Sequence, residues 1–412
     1  MRLSDILHDF GEHWFVYVSM PIIAAVIGYI TKRVAVEMMY EPLEFVGIRG
    51  TFIGWQGVLP RNARRMATTA MDLLMNNLVN PKELFARLDP DRVAAELEGP
   101  LLIAVDDIAR EVLERYQPKL WEMLPEGAQN ALIRRVRRDA PRLVRDLMDE
   151  IRNDIDGVID IREMAITACV RDKALLNRLI REVAAPEMRF IAYSGIYFGF
   201  IIGLVQMFTW ALTRQAIIMP IFGLCVGWFT DWLALKLIFL PRRPVRVLGL
   251  FTLQGKFQRR KNEVARDYAA LIAEEILTVR NVMEAALTGP KSDRLFATIQ
   301  RKVEQVIDAQ TSFAKPFVVM AAGTKRYKEM KAAAARIAIE RIPETLRYVE
   351  PYATEALDVR NTIVSGMGEL SALEYEGLLR PAFRQDEWKL IAVGALIGFA
   401  VGELQILLVL HT

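Results

Sequence analysis

The chain has 412 residues, with 53 basic against 50 acidic side chains and a formal net charge of +3. Apolar residues make up 53% and charged residues 25%, with a mean hydropathy of +0.19, too apolar for an ordinary soluble chain and too charged for a pure membrane bundle. That balance excludes disorder, collagen and, with only two cysteines, a disulfide scaffold, and it gives no electrostatic case for nucleic acid as a partner.

A span of the hydrocarbon core needs about 20 mostly apolar residues. The first such run covers 14–40 and carries Lys32, Arg33 and Glu37 in its second half. The leader before it has one basic residue and no small-residue cleavage pattern follows, so it does not read as a signal peptide. Alternation over 43–52 suggests a short hairpin or interfacial loop, with Phe45, Ile48, Phe52, Ile53 and Trp55 suited to the membrane interface.

The polar stretch 41–189 reads as helical. Helices are expected at 60–78, where Met66, Ala70, Leu73 and Leu74 fall on one face, and at 101–116, 127–138, 141–155, 161–170 and 173–183; Asp89-Pro90-Asp91 is a start signal. Arg134, Arg138, Arg142 and Arg145 form a basic stripe at helical spacing. Its default reading is a solvated face paired with Asp139, Asp146 and Asp149; contact with anionic lipid heads is the functional alternative. The second apolar run, 190–212, has no charge, and only Thr213, Arg214 and Gln215 separate it from the third, 216–240, so the two form a tight hairpin. The third contains Asp231 and Lys236.

Beyond it, 245–253 alternates again, with Val247, Leu250, Phe251 and Leu253 apolar. Helices are expected at 259–277, 292–310, 327–341 and 344–357, and Ser371-Ala-Leu-Glu374 is a capping box. The fourth run, 388–410, carries Glu403. Four spans put both long polar segments on one side and both termini on the other. One face offers Arg2 and Arg214; the other offers Lys32, Arg33, Arg49, Arg181, Arg189, Arg242, Arg243, Arg246, Arg380, Arg384 and Lys389. By the positive-inside rule the long segments are cytoplasmic and both termini periplasmic.

Self-comparison gives an internal duplication. Gly28-Tyr-Ile-Thr31-Lys32 through Pro42 resembles Gly227-Trp-Phe-Thr230-Asp231 through Pro241, an offset of 199 residues, and Gly195, Gly199, Gly203 and Gln206 match Gly394, Gly398, Gly402 and Gln405 at the same offset. The expected fold is therefore an all-α membrane protein with four transmembrane helices in two parallel tandem repeats, each with a large helical cytoplasmic segment. Repeat one is 1–212, with spans at 14–40 and 190–212 around the segment 41–189. Repeat two is 213–412, with spans at 216–240 and 388–410 around the segment 241–387. Lys32 aligns with Asp231 and Glu37 with Lys236. Equivalent residues at equal depth can then form inter-repeat pairs, Lys32 with Asp231 and Glu37 with Lys236. The four-residue spacing of the glycines makes a face for close helix packing.

Nothing in the chain recommends catalysis or a metal site. GxSxG, GxxxxGK[ST], GxGxxG and HExxH are all missing. His8, His13 and His411 are isolated near the termini, and Cys169 and Cys225 read as free buried thiols. No cofactor is expected.

The GYIT…AVEMMYEP and GWFTDWLALKLIFLP blocks resemble the signature of an uncharacterised bacterial membrane family, the domain-of-unknown-function group that includes YheB-like and YjiN-like proteins. That signature is a glycine-aromatic-x-Thr-Asn-Trp-x-Ala-x-Lys block ending in Arg-Pro, with a later stretch like LLRPAFRQDEWKLIAVGALIGFAVGELQ, here 378–405. Thr230, Trp232 and Lys236 match it, with Asp231 in place of asparagine; the first block departs from it at Lys32, Arg33 and Glu37. The resemblance implies a multi-pass protein of the bacterial inner (plasma) membrane with helical cytoplasmic parts, and brings no activity. The expected function is non-enzymatic: envelope organisation, lipid handling or partner docking. Membrane lipids are the expected partner, with a protein partner or a second copy of the chain beside them. The alternative is a transporter or channel with the four charged residues between the repeats.

Overall fold

The computed structural model describes residues 11, 13–48, 54–116, 126–247, 251–311, 324–384 and 387–410. The chain opens with α1 (Trp14–Tyr40), the hairpin β1 (Val46–Gly47) and β2 (Gly54–Trp55), then α2 (Val58–Arg61), α3 (Ala63–Asn77), α4 (Pro81–Ala86), α5 (Pro90–Tyr116), α6 (Glu126–Asn153), α7 (Ile155–Val158), α8 (Ile161–Arg171) and α9 (Lys173–Thr213). It continues with α10 (Ile218–Phe239), the hairpin β3 (Val245–Val247) and β4 (Phe251–Leu253), α11 (Lys256–Arg259), α12 (Lys261–Leu271), a π-helical turn (Ile272–Ile276), α13 (Val279–Thr288), α14 (Ser292–Thr311), α15 (Thr324–Leu346), α16 (Glu350–Leu357), α17 (Val359–Glu369), α18 (Ala372–Arg384) and α19 (Glu387–Leu410). Both hairpins are antiparallel, Val46 opposite Trp55 and Val245 opposite Leu253.

Several helices are longer than their local signals suggest. The expected elements 173–183 and 190–212 are one helix, α9, of 41 residues, and 127–138 and 141–155 are one helix, α6. Pro186 and Pro141 lie inside them. A proline removes one ladder hydrogen bond and kinks a helix, but need not end one whose apolar spacing continues on both sides. The Asp172 carboxylate accepts from the Leu175 N–H at 3.0 Å and starts α9; Arg214, at φ 49°, ends it. At about 1.5 Å per residue α9 is about 62 Å long, roughly twice a hydrocarbon core, so its polar first half extends beyond the apolar zone. The expected helix 259–277 is divided into α12 and a π-turn, where the helix widens by one residue. There the Asn281 amide donates to the freed Glu275 and Ile276 carbonyls at 3.0 Å each.

The chain forms two compact units. One comprises Met1–Leu73, Ile166–Tyr268 and Val364–Thr412; the other comprises Leu74–Ala165 and Ala269–Ile363. Each draws on both sequence halves, so this division cuts across 1–212 and 213–412.

Among the described residues, four helices are long and apolar enough to cross a membrane, and all four belong to the first unit. Here α1 packs along α9 and α10 along α19, and the pairs join through α9–α10 and α1–α19. A Cβ on Gly28 or Gly195 would strike the other's backbone carbonyl; a Cβ on Gly227 would strike the Gly394 carbonyl, while one on Gly394 would strike the Asp231 carboxylate. Gly199 abuts Ala24, Gly203 abuts Pro21, Gly398 abuts Gly223 and Gly402 abuts Pro220. The opposite faces are apolar and exposed: Val18, Ile22, Val26 and Ile30 on α1, and Ile201, Val205, Phe208 and Leu212 on α9. Stripes of this kind are tolerated where the surroundings are lipid. Cys169 is buried as expected, and burial pushes its thiol up to about 11; Cys225 is instead exposed on α10, because it falls on that outward face.

Polar contacts secure the rest of this unit. The Phe257 and Tyr375 rings stack at 4.3 Å. Arg260 pairs with the buried Glu187 at 2.9 Å and Arg242 with the buried Glu376 at 2.6 Å, while the Asn177 amide donates to the Tyr40 carbonyl. The capping box is reciprocal: the Ser371 N–H donates to the Glu374 carboxylate at 2.9 Å, and the Glu374 N–H to the Ser371 hydroxyl at 3.3 Å. The Ser371 bonds hold the Glu374 carboxyl below its ordinary range. In the hairpins Phe45, Ile48 and Val245 are exposed, while Phe52, Ile53 and Leu250 lie outside the described residues, as do Arg2, Arg49, His8 and His411.

Among the described residues, the second unit contains helices and the turns between them, and no strand. Arg137 pairs with Asp106 across α6 and α5, Arg145 with Asp91 at 2.9 Å, and Lys331 with Asp308 across α15 and α14 at 2.8 Å.

Bare backbone at the crossings predicts a sharp asymmetry between glycines. Gly195→Ala inserts a methyl where none fits and should cost about 1–3 kcal/mol. Gly368→Ala, in α17 with open space where an added Cβ would lie, should be neutral or stabilise by up to about 1 kcal/mol. Thermal unfolding of the detergent-purified variants measures both, and equal effects would contradict the crossing.

Candidate functional site

Two features stand out, one in each unit. The first is a polar cluster inside the four-helix bundle. Thr31, Lys32 and Thr230 are 0% exposed and Asp231 is 4% exposed. The hydroxyls of Thr31 and Thr230 donate back to the Ile27 and Val226 carbonyls, at 2.8 and 2.6 Å, so neither is an unmet polar group. The Lys32 ammonium donates to the Thr230 carbonyl at 2.7 Å and to the Ser194 hydroxyl at 3.3 Å, and stands 3.9 Å from Asp231 Oδ1. That last separation is an ion pair without a direct hydrogen bond. Neither Asp231 oxygen has a hydrogen-bond partner among the described residues. Further along the bundle, Gln206 donates to Gln405 at 3.3 Å, both buried.

The other expected pair is replaced. Glu37 meets Arg181 of the adjacent α9 at 3.2 Å, and Lys236 lies over the Trp232 ring of its own helix, 4.4 Å from its centroid. Glu37 and Arg181 are both about half exposed, so each takes the partner its helix neighbour supplies. The arginine stripe divides likewise: Arg145 bridges to Asp91, Arg142 sits 3.7 Å from Asp139, and Arg134 and Arg138 are exposed. Among the described residues no cluster of histidine, cysteine or carboxylates could hold a metal.

The second feature is a cavity of about 420 Å³ within the second unit, inside the roughly 300–1,000 Å³ range of small-molecule sites. Five amphipathic helices turn their apolar faces to it: α5 through Leu101 and Ile108, α6 through Leu147, α13 through Val282, α14 through Ile299 and α15 through Met330. Small residues recur in its lining: Ala334 and Ala338, one turn apart on α15, Ala104 and Ala109 on α5, and Ala140 on α6. Among the described residues, polar lining side chains are limited to Arg341 and Thr345. The Thr345 hydroxyl donates to the Arg341 carbonyl at 2.7 Å and so presents its methyl. Sequence patterning gives each helix an apolar face; it does not say that five such faces surround an unfilled space. The one local signal is the alanine run at 332–335 followed by Ala338.

The chain is similar along nearly its whole length, at 22% identity, to a UPF0754 membrane protein of Synechococcus sp. (strain JA-3-3Ab), covering 96% of this chain and 99% of the relative. It is 33% identical to a UPF0754 membrane protein of Nostoc punctiforme over 109 residues and 36% identical to one of another Nostoc strain over 102. The chain spans about a quarter of the length of each of those two relatives, 26% and 24%. No family model matches, and no solved structure matches. The kinship supported is with proteins named as membrane proteins; the YheB-like and YjiN-like designations are not the ones these relatives carry. With the four apolar helices, it makes the chain an integral membrane protein.

The buried pair predicts strong coupling. Lys32→Met strands a buried carboxylate and should cost about 3–5 kcal/mol; adding Asp231→Leu should recover most of it. A double-mutant cycle on thermal unfolding reads the coupling, and purely additive losses would mean that the two groups act separately.

Proposed function

We propose that this protein is a non-enzymatic, lipid-handling protein of the bacterial inner membrane whose cavity holds a hydrocarbon chain. The observation that carries the reading is the cavity. The space is partly open to its surroundings, so without an apolar occupant its lining meets water. The lining offers almost no polar partners for water, and each CH₂ buried there contributes about 0.8 kcal/mol. A protein built into a bilayer is surrounded by molecules with such chains.

The four spans read best as two copies of one unit, in parallel, related by a pseudo-two-fold axis along the membrane normal. Support comes from contacts recurring at an offset of 199 residues. The Gly28–Gly195 crossing has its counterpart in Gly227–Gly394. The α1 and α10 C-caps close the same way, Glu41 N–H to the Glu37 carbonyl and Leu240 N–H to that of Lys236. Residues equivalent under the duplication also meet each other: Gln206 with Gln405, Met20 with Met219, and Lys32 with Asp231. In this reading the long segments are cytoplasmic and both termini periplasmic, following the arginine-rich face. A reporter fused after Thr412 should behave as periplasmic, and a cytoplasmic signal would reverse the topology.

Transport between the repeats has less behind it. The Lys32 ammonium is engaged by Thr230, Ser194 and Asp231, and the pair sits where helices cross at bare backbone. A sealed pair of this kind suits register selection between helices.

Native mass spectrometry of the full chain released from detergent tests the lipid reading. The wild type should carry an apolar adduct. Ala104→Phe and Ala338→Phe, at partly buried lining positions, should lose it without a lower melting temperature once delipidated. A wild type that neither retains nor takes up a hydrocarbon chain would refute the proposal, as would undiminished binding by both variants.

A further inference from the structure

The cavity is almost featureless chemically, with one exception. Arg341 is the only charged side chain among the described residues lining it. Its side chain is 43% exposed, so the guanidinium belongs to both the apolar lining and the water outside. Its acidic neighbour is Glu344, three residues on in α15, 3.8 Å away and 76% exposed. An exposed pair at that distance is weak, and it does not saturate the five N–H donors of a guanidinium. Arg341 thus combines an aliphatic stem along an apolar wall with a charged fork at its edge, an arrangement that matches a molecule with a hydrocarbon chain and an anionic head.

Resting on the hydrocarbon-chain reading above, we infer that the cavity selects an anionic amphiphile, with a carboxylate or phosphate head held by Arg341 and the chain lying among Leu101, Leu147, Ile299 and Met330. Arginine suits either head because its planar fork meets two oxygens at once. Glu344 acts in the opposite direction: it occupies the guanidinium when no ligand is bound, and an arriving head displaces it at small cost because it is exposed. No covalent step is involved, and the ligand leaves as it came.

The test uses the full chain in nanodiscs of zwitterionic lipid, with empty nanodiscs subtracted. A radiolabelled long-chain fatty acid, the matching fatty alcohol and a phosphatidic acid are compared, with inorganic phosphate as a chainless competitor. The wild type should bind the acid about ten-fold or more tighter than the alcohol, and phosphatidic acid should compete with it. Arg341→Gln should abolish that preference while still binding the alcohol, which shows that the variant is folded; Arg341→Lys should restore part of it; Glu344→Gln should raise affinity for the acid. Equal affinity for acid and alcohol in the wild type, or a preference that survives Arg341→Gln, overturns the inference and leaves the hydrocarbon-chain reading standing. Displacement of the acid by inorganic phosphate at equal concentration overturns it too, since the chain would then contribute nothing. If the wild type binds neither acid nor alcohol, the underlying reading fails and the inference with it.

Discussion

At Gly28–Gly195 two helices cross with bare backbone against bare backbone, and at Gly227–Gly394 they cross as closely, with only the Asp231 carboxylate lying against Gly394. Much else in the membrane part of this protein depends on that closeness. Lipid tails are as apolar as leucine, so burying apolar side chains gains little against leaving them in the bilayer; close van der Waals contact and interhelical polar contacts hold such helices together. Bare backbone at the crossing provides the first. At the α1–α9 crossing Lys32 reaches the Ser194 hydroxyl, and it also donates to the Thr230 carbonyl of α10, which provides the second. A larger residue at 28 or 195 would weaken both at once.

The buried pair follows from this geometry. A lone ammonium or carboxylate among these helices would be expensive, and together they are tolerable because the Thr230 carbonyl and Ser194 share the ammonium. Asp231, whose oxygens have no hydrogen-bond donor among the described residues, leans on the charge of Lys32. Such a pair adds little net stability over a well-packed apolar pair, but it penalises any arrangement in which the two residues are apart. The Gln206–Gln405 contact penalises misregister in the same way.

The second unit answers to a different constraint. Its helices carry apolar faces, yet these faces, with Ala334 and Ala338 among them, line a space rather than a closed core. Dense packing is the norm for protein interiors, so a space of about 420 Å³ is a departure that needs an occupant or a compensating stability elsewhere. The cross-helix ion pairs, Arg137 with Asp106 and Arg145 with Asp91, fasten the outside of the bundle and leave its inside free.

Local chemistry is what the sequence by itself determined. The four apolar runs, the Ser371–Glu374 capping box, the small-residue faces and the juxtaposition of Lys32 with Asp231 all rest on spacing along the chain, and the structure has each of these features. Helix limits near Pro141 and Pro186 were not legible, because a proline's local cost is outweighed by packing on either side of it. Nor were the partners of Glu37 and Lys236, since half-exposed charges take whichever neighbour the fold supplies. The cavity and the position of Arg341 at its edge were decided by tertiary structure alone. A cavity is a property of the space between helices from distant parts of the chain, and no single stretch of sequence records how much of that space its neighbours leave unfilled.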